Sequence, residues 1–333
     1  MPRRCNAGAG KVPLHAHDGV LGKLNRHRQY NQPIARDLML DAETRDIGRA
    51  IANCALTIKA DVLIHEALPP DVNLKAARVC NTRLCPFCEW RRTRVWRARL
   101  TNGLNKLFEE KPKLRGVFLT LTVKNCLMDD LGDTINEMNR AWNRLQQRSF
   151  FPTDLWFRRT EVTVGYMPGT DVLVAHPHFH VLLLVKPSYF SHGYIKQTEW
   201  QKQWMDAARL DYAPVVDVRA AKANSGPGSS SLDAAKSSVV EAAKYAAKAT
   251  NLMELGRDIS QLHWQLRGKR LYALSKSLRR YVQDGDVSDT EMLDNCSKPL
   301  PNGTVAVEVT AQWFEDAQEY LICLLYTSPS PRD

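Results

Sequence analysis

Two apolar periods alternate along the chain. In LGDTINEMNRAWNRLQQRSF (131–150), Leu131, Ile135, Met138, Trp142 and Leu145 recur at three- and four-residue spacing, which predicts an amphipathic helix. RGVFLTLTVKN (115–125) is rich in β-formers and bounded by Gly116 and Asn125, so a strand is expected there. RRTEVTVGY (158–166) and DVLVAHPHFHVLLLVK (171–186) are two further β-type runs joined through MPGT, where Pro168 and Gly169 mark the turn of a hairpin. PVVDVR (214–219) predicts a short strand. Helices are expected over 36–60, 196–210, the Ala-rich 233–253 with Asp233 near its start, and an amphipathic 258–281. NSGPGSSS (224–231) reads as a flexible loop, and residues 1–35, rich in Gly, His, Arg and Pro without a period, as a flexible basic arm.

Inside the hairpin, AHPHFHVLLLV (175–185) sets His176, His178 and His180 at alternate positions, all on one face of a strand. Two imidazoles at i and i+2 lie about 7 Å apart and can share one divalent ion. With Gly169-Thr170 as the loop and Pro168 opposite Asp171, paired positions sum to 339 and Glu161 faces His178. Their Cβ atoms would then be about 5 Å apart, delivering a carboxylate to the imidazole pair. A slip of one residue breaks that alignment. The alternative is that His178 and His180 are hydrogen-bonded or surface histidines. His176 shares their parity but falls at the strand edge, where exposure to solvent accounts for it.

Composition sharpens the picture only in part. The chain has 333 residues, 44% hydrophobic and 25% charged, enough for one large or two modest domains of ordinary soluble character. No apolar run reaches the length of a membrane span. The basic start, MPRRCNAGAGKVPLHAH, lacks the apolar core of a secretory signal, so the expected location is the cytoplasm, with no membrane partner. The net charge of +10 is uneven: Lys and Arg outnumber Asp and Glu by 44 to 26 through residue 283, while two stand against ten from Asp284 onward. A basic body of this kind points to a polyanion, nucleic acid above all, or to a merely basic surface.

Of eight cysteines, Cys80, Cys85 and Cys88 cluster as C-x4-C-x2-C. In a reducing compartment such a cluster reads as metal-binding. Zinc takes four ligands, and the fourth is Cys54, 26 residues upstream, or His65. Buried unmetallated thiols are the alternative. Arg91, Arg92, Arg94 and Arg97 follow, with Arg99 and the indoles of Trp90 and Trp96. Guanidinium groups pair with phosphates and indoles stack on bases, so this helix is a candidate DNA-binding surface; otherwise it is a solvated face that packs Trp96 inward.

In EAAKYAAK, Glu241, Tyr245 and Lys248 fall at i, i+4 and i+7 on one helical face, with Lys244 at its edge. A phenol, with a pKa of about 10, is a weak nucleophile at neutral pH. A divalent ion and a nearby ammonium can polarise a phosphodiester so that a tyrosine attacks it, and a glutamate one turn away can serve as general base. An ordinary helix with solvated lysines carries the same residues.

The order FLTLTVKN, PHFHVLLLV, EAAKYAAK resembles the three motifs of plasmid rolling-circle replication initiators of the HUH endonuclease class, over roughly residues 78–250. The resemblance implies a metal-dependent nickase that cuts one DNA strand at the double-strand origin. Tyr245 would attack and link to the 5′ phosphate, and the 3′-OH would prime synthesis. His178, His180 and Glu161 would hold Mg2+ or Mn2+. Glu241 matches a subgroup whose glutamate works with water to end the cycle, and Lys248 matches the motif lysine. Similar initiators carry a CP-C segment, which supports a structural Zn2+ on Cys80, Cys85, Cys88 and Cys54. Single-stranded and origin DNA, and host helicase and polymerase, are the implied partners. The implied fold is α+β, a ferredoxin-like antiparallel sheet flanked by helices with an N-terminal zinc segment, in agreement with the elements above.

The expected organisation is an arm (1–35), a helical and cysteine-cluster DNA-binding segment (36–110), the nicking-joining domain (111–283), an acidic C-terminal segment (284–320), and LICLLYTSPSPRD (321–333), set apart because it resembles a translated adapter. Rival readings are an HUH relaxase, which usually has its tyrosine near the N-terminus, a single-tyrosine transposase, usually much shorter, or a non-catalytic zinc-stabilised DNA-binding regulator.

Overall fold

The computed structural model describes residues 11–13, 20–65, 68–222, 230–242, 249–282 and 303–323. In chain order, the first elements are β1 (Lys11–Pro13), α1 (Val20–Gln29), α2 (Asn31–Met39), α3 (Arg45–Ala52), β2 (Thr57–His65), β3 (Leu68–Ala77) and α4 (Pro86–Glu110). Then come β4 (Arg115–Thr122), β5 (Cys126–Leu127), α5 (Leu131–Gln146), β6 (Trp156–Tyr166), β7 (Leu173–Val185), α6 (Ser188–Ser191), α7 (Gln197–Ala208) and β8 (Val216–Ala220). The last are α8 (Ser231–Ala242), α9 (Ala249–Glu254), α10 (Ile259–Leu266), β9 (Tyr272–Leu274), α11 (Lys276–Val282), β10 (Val305–Phe314) and β11 (Glu319–Cys323). The class is α+β, with antiparallel sheets flanked by helices. The chain divides into two units, one of residues 1–91 with 288–333 and one of residues 92–287.

In the second unit the strand order is β8-β4-β7-β6-β9, and β5 also pairs with β7. Every ladder pair between β6 and β7 follows the expected register, from Trp156 with Leu183 to Tyr166 with Leu173, so Glu161 pairs with His178. The turn is closed by Met167 N–H donating to Val172 O (2.8 Å) and Thr170 N–H to Met167 O (3.0 Å). Gly169 sits there at φ +75°, a conformation that costs glycine little.

Strand β7 is buried on two sides over its C-terminal half. Phe179, Val181 and Leu183 face Met138, Trp142 and Leu145 of α5 and Trp200 and Trp204 of α7. Leu182 and Leu184 face the other way, with Phe118 and Phe157, onto Leu100 and Leu104 of α4, Ala235 and Val239 of α8 and Leu278 of α11. The apolar run VLLLV is therefore a strand with core on both faces, which removes the usual alternation. Alternation returns upstream, where His176, His178 and His180 are half-buried on the second face while Ala175, Pro177 and Phe179 are buried on the first.

The segment 258–281 is not one helix. Gly268, at φ +71°, ends the turn after α10, and the chain then adds β9 to the free edge of β6, with Thr160 N–H donating to Leu271 O (2.8 Å). Edge pairing overrides the helical pattern there. The expected helix 233–253 is present as α8 and α9, and residues 243–248 between them lie outside the described ones.

In the first unit the strand order is β1-β11-β10-β2-β3. The expected helix 36–60 ends early: α2 stops at Met39, α3 spans Arg45–Ala52, and β2 begins at Thr57 because β10 pairs along it from Gln312 with Thr57 to Val305 with Ile64. Residues 20–35 are not a flexible arm either. Leu24, Arg28, Asn31 and Ile34 are buried, Arg28 donating to Ala52 O (2.8 Å) and Asn31 to Ile51 O (3.3 Å). Nor does the chain separate at residue 321, since β11 pairs with β1 and β10 through Cys323 and the buried Tyr320 hydroxyl donates to Ala55 O. The residues from 305 to 323 belong to this sheet rather than to a separate acidic segment and tail.

Candidate metal sites and basic helix

The open half of the second sheet face is laid out by cross-strand pairing. Across β7, His178 pairs with Thr122 of β4 and Glu161 of β6, and His180 pairs with Thr120 and Arg159. Paired residues share a face, so these six side chains form two adjacent rows. His180 Nε2 lies 3.0 Å from Glu161 Oε2, and His178 Nε2 lies 3.7 Å from the same oxygen. The side chains of all three are 12–13% exposed, enough to leave one side open.

The opposite ring nitrogens are occupied. His178 Nδ1 lies 3.3 Å from the backbone carbonyl of His176, which only accepts, so that nitrogen donates there. His180 Nδ1 lies 3.3 Å from Thr120 Oγ1, and its ring stacks on Phe118 (centroids 5.6 Å). Both imidazoles thus aim Nε2 at one carboxylate while the other ring nitrogen is held, the arrangement a ligating histidine uses once Nε2 has given up its proton. Burial works against ionisation of Glu161, but hydrogen bonds and charge from His178 and His180 outweigh it and hold the carboxyl well below the usual carboxylate range. Two donors each about 2.1 Å from one ion stand about 3.0 Å apart at a right angle, so the observed spacing suits a shared divalent cation. Two histidines and a carboxylate on one face leave further positions open for substrate or water.

His176 stays out of this group. Its Nδ1 lies 2.9 Å from Asn125 Oδ1, and burial, then the neighbouring His178, lowers its pKa. Arg159 and Thr120 are site residues that sequence reasoning passed over. Arg159 is buried with its guanidinium 4.6 Å from the centroid of the Tyr272 ring. Their parity in RTEVT and FLTLT was the available signal.

Tyr245, Lys248 and Lys244 lie outside the described residues, as does the side chain of Glu241, whose backbone belongs to α8. Helix α8 itself packs on the histidine-bearing face, with Ala235 and Val239 against Phe118 and Leu182.

The first unit gathers Cys54, Cys80, Cys85 and Cys88, whose sulfurs all lie within 4.8 Å of one another; His65 is not among them. Cys54 Sγ lies 3.5 Å and Cys80 Sγ 3.6 Å from Cys88 Sγ, far beyond a disulfide bond but close to the ~3.8 Å edge of a tetrahedron with 2.3 Å metal–sulfur bonds. Backbone N–H groups of Cys80 and Asn81 point at Cys54 Sγ (3.5 Å) and Cys88 Sγ (3.2 Å). The Cys80 thiol is pulled down by the hydrogen bonds it receives from the other three, whereas burial first, then those neighbours, pushes Cys85 up. Cys54 follows α3, Cys80 follows β3, and Cys85 and Cys88 flank the start of α4, so one ion here would tie three chain segments together.

Arg91, Arg92, Arg94 and Arg97 follow on α4, all partly exposed. The indoles do not join them as base-stacking surfaces. Trp90 is buried, its ring stacked on His27 (5.7 Å), and Trp96 stacks on Tyr272 (5.1 Å, 14°). Among the described residues no helix is long and apolar enough to cross a membrane.

Fold and sites together define an α+β protein whose central antiparallel sheet carries a two-histidine, one-carboxylate cluster and whose other unit carries four clustered thiols. A profile of the family described as "Replication protein" matches residues 71–321. "Protein rep" of Lactiplantibacillus plantarum is 34% identical over 79% of this chain and 85% of its own length, and "Protein rep" of Lentilactobacillus hilgardii is 35% identical over 73% and 78%. "Protein rep" of Streptococcus pneumoniae serotype 2 is 32% identical over 75% and 78%. No solved structure matches the chain significantly. The chain belongs to the replication protein family.

Proposed function

We propose that the protein initiates plasmid rolling-circle replication by nicking one strand at the double-strand origin and rejoining strands at termination. The observation that carries this reading is the register of β6 on β7, which turns Glu161, His178 and His180 toward one point on the open sheet face beside α8. Mg2+ or Mn2+ bound there would supply Lewis-acid charge to the non-bridging oxygens of a phosphodiester. The chain's own residues do the rest. Glu161 and the two imidazoles would hold that ion on the sheet face, and the Tyr245 oxygen attacks phosphorus as it loses its proton. The P–O3′ bond breaks, the 3′ oxygen takes up a proton, and the tyrosine keeps the 5′ phosphate in ester linkage. Bond energy is conserved in the tyrosyl ester, so attack by a strand's 3′-OH rejoins DNA and frees Tyr245, while Glu241 serves as base for the water that ends the cycle and Lys248 counters developing charge. The free 3′-OH is what a host polymerase, behind a helicase, would extend.

Zn2+ on Cys54, Cys80, Cys85 and Cys88 would be structural, since four protein ligands leave no open position. Arg91, Arg92, Arg94 and Arg97 then serve as phosphate contacts.

The test is covalent capture. With a labelled single-stranded origin oligonucleotide and Mn2+, the wild type should form a protein–DNA adduct that Tyr245→Phe does not. Intact DNA binding with no adduct under either metal would sink the enzyme reading and favour a DNA-binding regulator.

A further inference from the structure

The face of the second sheet opposite the histidines also carries a buried charge. Arg158 is 2% exposed, with its guanidinium 3.9 Å from the centroid of the Phe179 ring and 5.7 Å from that of Trp142. Nη2 donates to Asn139 Oδ1 (2.5 Å), but Nε and Nη1 have no hydrogen-bond partner. Among the described residues no carboxylate pairs with this guanidinium. Burial first, then the like charge of the neighbouring Arg270, lowers the Arg158 pKa to about 9. A buried cation without a counter-charge is strongly destabilising, and the rings of Phe179 and Trp142 offset only part of that.

Arg158 lines a cleft of about 880 Å3 between α5 and the chain from Gly268 to Ser277. Lys269, Arg270 and Lys276 line the same cleft, against a single carboxylate, Asp154, which already accepts a hydrogen bond from Ser277 Oγ (2.5 Å). The α5 wall is a row of carboxamides, Asn136, Asn139, Asn143 and Gln146, at helical spacing on one side of the helix. Two of them are oriented: the Asn139 oxygen is taken by Arg158, and the Asn143 oxygen by Gln146 Nε2 (3.1 Å). Their amide donors remain for other acceptors. At 1.5 Å per residue the row is about 15 Å long, the span of about four phosphates along one strand of B-form DNA. The cleft is far larger than a single phosphate needs, and its walls combine cations with the carboxamides that read base edges.

We propose that this cleft is a second DNA-strand subsite, in which Arg158 pairs with a backbone phosphate, Arg270 and Lys276 flank it, and Asn139 and Asn143 contact base edges. It lies on the sheet face away from the nicking centre and rests on the reading of the chain as an origin-binding protein. A strand held there would position the origin without taking part in the cut.

Fluorescence anisotropy with the full chain tests it, using the oligonucleotide that forms the Tyr245 adduct and a scrambled control, each titrated from 50 to 200 mM salt. Arg270→Ala with Lys276→Ala should weaken both oligonucleotides alike and reduce the slope of log affinity against log salt by about 1.4 for single strands. Asn139→Ala with Asn143→Ala should weaken the origin oligonucleotide roughly 5- to 100-fold and spare the scrambled one. Arg158→Met and the variant containing Asn139→Ala are read alongside their melting curves, because Arg158 is buried and Asn139 holds it; substitutions at the exposed Arg270, Lys276 and Asn143 decide the question. Wild-type affinity and salt slope in both double variants, in a protein whose wild type binds and forms the adduct, would overturn the subsite alone. A wild type that neither binds nor forms the adduct would instead overturn the reading beneath it. Thermal stabilisation of the wild type by inorganic phosphate, with DNA binding unchanged in both variants, would mark the cleft as a site for free anions and also overturn the proposal.

Discussion

Replacing Thr120 with valine isolates the tautomer argument from the metal ligands themselves. The Thr120 hydroxyl is the partner of His180 Nδ1, while His180 Nε2 faces Glu161. Valine keeps the shape and removes only the oxygen. At 3.3 Å the bond is slightly longer than the usual N–H···O range, so its net worth to folding is at the low end, about 0.5 kcal/mol, and the more strand-prone valine offsets part of that. Stability should therefore change by less than about 1 kcal/mol. Metal affinity should change more. Loss of an orienting partner behind a ligating histidine typically costs 10- to 100-fold. The long bond and the stacking of His180 on Phe118, which still restrains the ring, put the effect near tenfold, or about 1.4 kcal/mol.

Calorimetric titration with Mn2+ reads this directly, and the Mn2+ concentration for half-maximal adduct formation should shift by the same factor while the saturated rate holds. Thr120→Ser restores the oxygen and should restore affinity. Unchanged Mn2+ affinity in Thr120→Val would refute the assignment of Nε2 as the ligating nitrogen of His180. A melting temperature lowered in step with affinity would reduce Thr120 to a packing role.

Two further outcomes follow from the same sites. Because Glu161 has a depressed pKa in the fold, its ionised form stabilises the protein above the unfolded value of about 4.3, and that contribution is lost as the pH falls toward the folded value. The stability gap between wild type and Glu161→Gln, measured without metal by denaturant titration, should therefore shrink between pH 5 and 3; a constant or widening gap argues against the coupling to His178 and His180. Cys88→Ser should release Zn2+ and cost at least about 4 kcal/mol, with a chelator lowering the melting temperature of the wild type but not of the variant; a wild type indifferent to chelation removes the metal from the thiol cluster.

The β6–β7 hairpin was legible in the sequence because two constraints agree there. Period-two alternation fixes which residues share a face, and Pro168-Gly169 fixes where the chain reverses, so pairing of Glu161 with His178 follows by counting. Thr120 offered the same parity but no such anchor. It reaches His180 through the β4–β7 ladder, whose strands are joined by a long connection, and no turn chemistry sets that register. Distance along the chain hid the first unit in the same way: β2 finds its neighbour β10 some 240 residues later, and nothing local in TIKADVLIH announces a partner. Arg28 and Asn31 misled for a different reason. Their side chains are polar, yet backbone carbonyls of Ala52 and Ile51 satisfy them inside the fold, so a segment without apolar period is nonetheless buried. The Cys54 thiol, by contrast, was within reach of sequence reasoning, which lacked only a ground for preferring it to His65.

One strand serves as both core and site because its second face is finished in two ways. From Val181 onward, Leu182 and Leu184 are covered by α4, α8 and α11; from His176 to His180 the same face is left half open. β7 is also the middle strand, hydrogen-bonded to β4 and β6 along its length, so opening it locally means breaking two ladders. The imidazoles therefore stand on a strand paired on both sides, and the carboxylate beside them comes from the adjoining strand rather than from a loop. An ion bound there would meet three donor groups already at fixed spacing, the ordering cost of their assembly being met in folding.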